Sequence, residues 1–145
     1  MEKVQRAVSL FENGLNCSQA ILTAFGGPYG VEPADAARIG RPWGGGISHM
    51  GLTCGAVTAA ILILGLAKGD GENEKEVRNR VFKTGQEFFR CFEERYKTTL
   101  CRDLLGVDIT TESGLKRIKE ENLVKKTCPQ YVKAAAEILF ELQDA

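Results

Sequence analysis

The chain has 145 residues, enough for one domain whose core removes about two-thirds of the unfolded surface from water. Nineteen Lys and Arg balance nineteen Asp and Glu with no block of like charge, which excludes a nucleic-acid groove or an anionic membrane surface as the expected partner. The N-terminal stretch is charged and amphipathic, unlike a signal peptide, and the apolar run at 61–66 falls well short of the ~20 residues a spanning helix needs. The expectation is a cytoplasmic protein with no membrane span, in which five cysteines read as redox thiols or metal ligands rather than structural disulfides.

Residues 2–12 place Val4, Ala7, Val8 and Phe11 on one helical face, with Asn13-Gly14 as the stop. Asn16 then reads as an N-cap, followed by Cys17 and an apolar helix that closes at Gly26-Gly27-Pro28. Pro33 opens a short helix, and Gly40-Arg41-Pro42-Trp43 leads into the triple glycine at 44–46. That glycine-rich loop delivers Cys54 to the head of a segment, about 52–67, with no charge before Lys68. A helix there is apolar all round, so it is expected to be central and buried on every side. The longest helix is predicted over 72–96, with Val77, Val81, Phe88 and Phe92 at helical spacing. A short helix capped by Thr98 or Thr99 carries Cys101, residues 108–114 read as turn, and 115–121 read as a weakly amphipathic helix. The last helix is expected to open at Thr127-Cys128-Pro129. No segment alternates apolar and polar residues at strand spacing. The chain reads as all-α, a single-domain multi-helix bundle over 1–145 around the central apolar helix.

On this reading Cys17, Cys54, Cys101 and Cys128 each fall within the first turn of a helix, and Cys91 does not. A helix N-terminus presents unpaired N–H groups and about half a positive charge, so all four thiols are expected to be stabilised as thiolates. Between successive members lie 36, 46 and 26 residues, so no C-x-x-C pair exists and any cluster must be assembled by the tertiary fold. The opposing reading is that cysteine packs as a small apolar side chain, which suits Cys91 best.

The residues Cys17-Ser18-Gln19-Ala20, Gly44-Gly45-Gly46, Gly51-x-x-Cys54-Gly55-Ala56-Val57-Thr58, Cys101-Arg102-Asp103-Leu104-Leu105-Gly106 and Cys128-Pro129 form a pattern spanning nearly the whole chain. It resembles the C_GCAxxG_C_C family of redox-active proteins. The resemblance implies a helical domain of this size with Cys17, Cys54, Cys101 and Cys128 as its signature cysteines and a redox or metal-linked role. Because members are often encoded beside transport genes, it also implies a transport-associated partner. Two positions depart from the pattern. Ala59 replaces the last glycine of C-G-A-x-x-G, adding a methyl at a close contact, and Cys91 is an extra cysteine that offers an alternative disulfide partner.

The remaining candidates are weaker. The glycines at 44–46 lack the strand, the GK[ST] ending and the acidic ribose ligand of a nucleotide site, and more simply let backbone pass close to Cys54 or to another subunit in a homodimer. His49, the one histidine, is a candidate base, ligand or proton relay beside Cys54. Arg41 reads as a surface charge and Trp43 as packing over the loop; Glu93-Glu94 and Glu120-Glu121 read as solvated faces. Two chemistries stay open. In the first, a low-pKa Cys54 attacks a disulfide of a protein redox partner and is resolved by Cys17, Cys101 or Cys128. In the second, Cys17, Cys54, Cys101 and Cys128 together hold zinc or an iron–sulfur cluster as a four-cysteine site. A third reading is a helical interaction protein whose thiols only pack.

Overall fold

The most apolar segment decides the architecture. In the computed structural model, which describes residues 2–144, that segment is helix α4 (Gly55–Lys68), and the other helices are laid around it. In chain order they are α1 (Glu2–Glu12), α2 (Cys17–Gly26), α3 (Pro33–Gly40), α5 (Glu74–Tyr96), α6 (Cys101–Leu105), α7 (Glu112–Glu120) and α8 (Leu123–Gln143). Short 3-10 turns cover Gly27–Tyr29 and Arg41–Trp43. Among the described residues the one strand-like feature is an isolated antiparallel bridge between Thr53 and Leu100, so the fold is all-α, as the pattern predicts.

Helices α2, α5 and α8 pack directly on α4, and α1 crosses α2 and α8. Small residues make this possible: Ala56, Ala59 and Ala60 on α4 and Ala134, Ala135 and Ala136 on α8 are all buried, so backbones approach closely. Between them lie Ile21, Phe25, Phe88, Phe92, Val132 and Leu139 with no exposed surface, each contributing on the order of 1.5–3 kcal/mol by leaving water. A second, smaller cluster of Leu105, Val107 and Ile109 joins α6 to the start of α8, with Cys101 and Cys128 packed against it.

Four expectations change. The central helix starts at Gly55 rather than near 52, because residues 52–54 run extended: Thr53 pairs with Leu100, the Cys54 N–H bonds the Thr99 carbonyl at 2.7 Å, and the Cys101 N–H bonds the Leu52 carbonyl at 2.6 Å. Nor is α4 buried on every side. Its neighbours leave one sector uncovered, where Leu62 is 36% and Leu66 42% exposed, with Ile61 and Gly65 half-buried beside them. The sector continues onto α5 as Phe82, 60% exposed.

The third change is at α8, which opens at Leu123 after Asn122 in the left-handed conformation (φ 52°), so Cys128 and Pro129 sit in its second turn. Leu123 anchors this earlier start by packing into the second cluster. Pro129 is accommodated inside the helix at the loss of one N–H to the Lys125 carbonyl. Likewise α7 begins at Glu112 rather than 115, because the Thr111 side chain caps it by accepting from the Gly114 N–H at 3.0 Å.

Candidate functional site

Cys17 is the first residue of α2, and Asn16 before it is the N-cap the sequence predicts. The Asn16 side chain accepts from the Gln19 N–H at 2.8 Å, while the Gln19 side chain accepts from the Asn16 N–H at 2.9 Å, a reciprocal capping box. Both amides are used twice: Asn16 Nδ2 donates to the Arg41 carbonyl at 3.1 Å and Gln19 Nε2 to the Ala37 carbonyl at 2.8 Å. The box therefore fixes the start of α2 against α3 and the turn that follows it. Gln19→Leu removes one half of the box and leaves the Ala37 carbonyl without this partner, so it is expected to lower stability by about 1–2 kcal/mol, read as a shift in the urea midpoint.

The glycine-rich loop takes an unusual shape. Gly45, Gly46, Ile47, Ser48 and His49 have successive φ values of 66°, 68°, 63°, 52° and 61°, one continuous left-handed turn. For a β-branched residue such as Ile47 this is strained backbone, and the surroundings must hold it there. They do so from both ends. Ser48 donates through its N–H (2.7 Å) and its hydroxyl (2.9 Å) to the Pro42 carbonyl. On the far side Arg102 Nε donates to the Gly51 carbonyl and Arg102 Nη2 to the Met50 carbonyl, both at 3.1 Å. A side chain at Gly46 would lie 2.6 Å from both Cys101 Cβ and the Leu52 nitrogen, so the turn and α6 are pressed together.

The electrostatics of Cys17 are set by groups from three parts of the chain: the Cys54 thiol and the backbone N–H groups of Ser18 at the start of α2, Gly45 on the left-handed turn and Ala56 at the start of α4 all favour its thiolate. The Cys54 thiol is the largest influence. Together the donors outweigh burial and bring Cys17 down to about 7 from the usual thiol value. Gly55 is what allows the approach, since a Cβ there would sit 2.6 Å from Cys17 Sγ and 2.8 Å from the Trp43 carbonyl.

The other thiols move the opposite way. Cys54 is held well above the usual range, chiefly because it donates to Cys17 and because it is buried. Burial and the nearby Cys17 charge push Cys101 up to about 11, with Arg102 partly offsetting them. Cys128 is pushed up to about 12 by burial and then by Cys17 and Cys101. Being in the second turn of α8, it has lost the helix-terminal N–H groups the sequence assigned to it. Helix position alone thus does not make four thiolates. The Ala56 and Val57 N–H groups favour the Cys54 thiolate as well, but the Cys17 neighbour and burial outweigh them, so of the pair Cys17 is lowered and Cys54 raised.

A cavity of about 550 Å³ brings the candidates together: Cys17, Cys54, Cys101, Cys128 and His49 all line it. Cys91 does not. It lies on α5 beside Glu87 and Arg90, where burial and the Glu87 charge raise it. Arg41 is exposed and contributes its carbonyl, not its charge; Trp43 is half-buried and contributes its carbonyl to the Ile47 N–H at 3.3 Å. Among the described residues no three His, Cys, Asp or Glu side chains are grouped to hold a metal ion.

Sequence reasoning passed over the tether made by Arg102. A signal was present, because an arginine in the first turn of a helix opposes the dipole and needs acceptors elsewhere, here the loop carbonyls.

No curated protein and no solved structure gives a significant match to the chain. A family model described as "Putative redox-active protein (C_GCAxxG_C_C)" matches residues 15–142, a span that contains all four cavity cysteines and the left-handed turn. The chain belongs to the C_GCAxxG_C_C family.

Proposed function

We propose that the protein is a thiol–disulfide exchange protein in which Cys17 is the nucleophile and Cys54 the resolving thiol. What supports this is the pairing of Cys17 and Cys54 in one cavity, with Cys17 lowered to about 7 by its neighbour and Cys54 raised by the same contact and by burial. A nucleophile works best with a pKa near ambient pH, and a leaving thiolate needs a proton; the pair supplies both.

The Cys17 thiolate attacks one sulfur of a disulfide R–S–S–R, the S–S bond breaks, and RS⁻ departs with the proton of Cys54. The Cys54 thiolate then attacks Cys17 Sγ, expelling the second RS⁻ and closing a Cys17–Cys54 disulfide. The substrate is reduced by two electrons and the pair oxidised by two. A dithiol reductant returns the pair to the starting state, which requires a compartment that keeps thiols reduced.

Cys54→Ser separates the steps. With 2-hydroxyethyl disulfide this variant is expected to accumulate a mixed disulfide at Cys17, seen as one added adduct on the Cys17 peptide, whereas the native protein passes to an internal disulfide. Cys17→Ser forms neither. Equal oxidation of Cys17→Ser and native protein, or an internal disulfide that omits Cys17, ends the proposal.

A further inference from the structure

Resting on that reading, the walls of the cavity speak to what the thiolate meets. Away from the sulfurs much of the lining is apolar, including Leu105, Ile109, Ile118 of α7 and Val132 of α8. At one side of its mouth Leu115 and Val124 line the cavity while remaining 48% and 39% exposed.

The polar side chains of the interior are already engaged. Asn16 and Gln19 are committed to the capping box and to the Arg41 and Ala37 carbonyls, and Tyr131 Oη donates to the Leu104 carbonyl at 2.9 Å. Those left to meet a ligand, Glu12, His49 and Lys125, are exposed at the rim. A peptide or a charged thiol compound entering this space would leave its amides and carboxylates without partners, an unfavourable desolvation that is larger for each charge than for each neutral group. The volume itself, about 550 Å³, lies within the ~300–1,000 Å³ typical of small-molecule sites. Cys17 is half-buried and Cys54 7% exposed, so neither is displayed on a flat face to which a folded partner could bring its own sulfur.

We infer that the substrate is a small, uncharged, mainly apolar disulfide, bound with a sulfur at Cys17 and its body against Ile109, Ile118 and Val132. The exchange it undergoes is the one written above, with two small apolar thiols as products. Entry is between α7 and the first turn of α8, past Leu115 and Val124.

The test compares dipropyl disulfide with oxidised glutathione as oxidants of the reduced native protein, each rate divided by the rate of the same disulfide with the thiolate of 2-mercaptoethanol. A normalised preference of at least about tenfold for dipropyl disulfide is expected, and a smaller preference overturns the inference. Leu115→Glu, at an exposed position where folding is not at stake, and Ile118→Glu, deeper in, are each expected to slow dipropyl disulfide about tenfold. An unchanged rate in Leu115→Glu with circular dichroism like that of the native protein also overturns it. Failure here is distinguishable from failure of the exchange reading. If Cys17 is oxidised by both probes without preference, only the substrate class falls; if neither probe oxidises Cys17, the exchange reading falls and this inference with it.

Discussion

At pH 7 iodoacetamide is expected to modify Cys17 about a hundredfold faster than Cys101, and faster still than Cys128. The estimate follows from two opposed effects. With Cys17 at about 7 and Cys101 at about 11, the thiolate fractions at pH 7 differ by a factor of about 5,000. Intrinsic nucleophilicity falls with pKa at a Brønsted slope of about 0.4–0.5, which gives back a factor of roughly 40–100 over four units. The net advantage is about two orders of magnitude, readable by mass spectrometry of the separate cysteine peptides. The pH dependence has a definite sign. A thiol with a depressed pKa loses reactivity as pH falls through about 7 and gains little above it, whereas Cys101 and Cys128 continue to gain up to about 11 and 12. Because the Cys54 thiol is the leading influence on Cys17, Cys54→Ala is expected to carry the Cys17 profile upward, and Cys54→Ser, which keeps a donor, to carry it less far. A Cys17 profile identical in native protein and Cys54→Ala contradicts the pairing.

Much of this was legible because it is local. Helix α1 and the Asn16 cap of α2 follow from apolar spacing and from one side chain that accepts from the N–H three residues on. That Cys17 opens a helix is legible for the same reason, whereas α6 begins at Cys101 after Leu100 with no side-chain cap, not after the Thr98 or Thr99 cap the sequence suggests. The failures share a cause too, in that each depends on a neighbour distant in sequence. Pro129 suggests a helix start, yet Leu123 extends α8 a turn and a half earlier by packing beside Val107 and Ile109 of a different segment. An all-apolar α4 suggests burial on every side, yet the helices that pack on it among the described residues, chiefly α2, α5 and α8, leave the sector at Leu62 and Leu66 open. Which of several helix-terminal thiols is lowered depends first on the Cys54 thiol and then on Ser18, Gly45 and Ala56, groups from separate parts of the chain. The left-handed run at 45–49 is the hardest case. Glycine permits it at Gly45 and Gly46, but nothing in Ile47-Ser48-His49 asks for it; Arg102 and Pro42 impose it from outside. The two departures from the family pattern bear out this division. Ala59 is wholly buried in the α4 core, so its methyl is absorbed there, and Cys91 lies away from the cavity that the signature cysteines line.

Gly55→Ala is expected to cost about 2–3 kcal/mol and to remove the reactivity advantage of Cys17 at the same time. The added Cβ would sit 2.6 Å from Cys17 Sγ, 2.8 Å from the Trp43 carbonyl oxygen and 3.3 Å from Ser18 Cβ. The sulfur can rotate away, but the carbonyl is backbone, held in the turn that also accepts from the Ile47 N–H, so it can give way only if the turn or the head of α4 shifts. Either movement draws the Ala56 N–H and the Cys54 thiol off Cys17, and the thiolate loses the donors that lowered it. The expected readouts are therefore paired: a fall in the unfolding midpoint of roughly 6–9 °C for a chain of this size, and a Cys17 labelling profile displaced upward in pH. Gly65 provides the matched comparison, being in the same helix with open space where its Cβ would go. Gly65→Ala is expected to raise stability by about 0.5–1 kcal/mol through helix propensity alone and to leave Cys17 labelling unchanged. If Gly55→Ala behaves like Gly65→Ala in both measurements, the close approach of α4 to Cys17 is not what makes this thiol reactive.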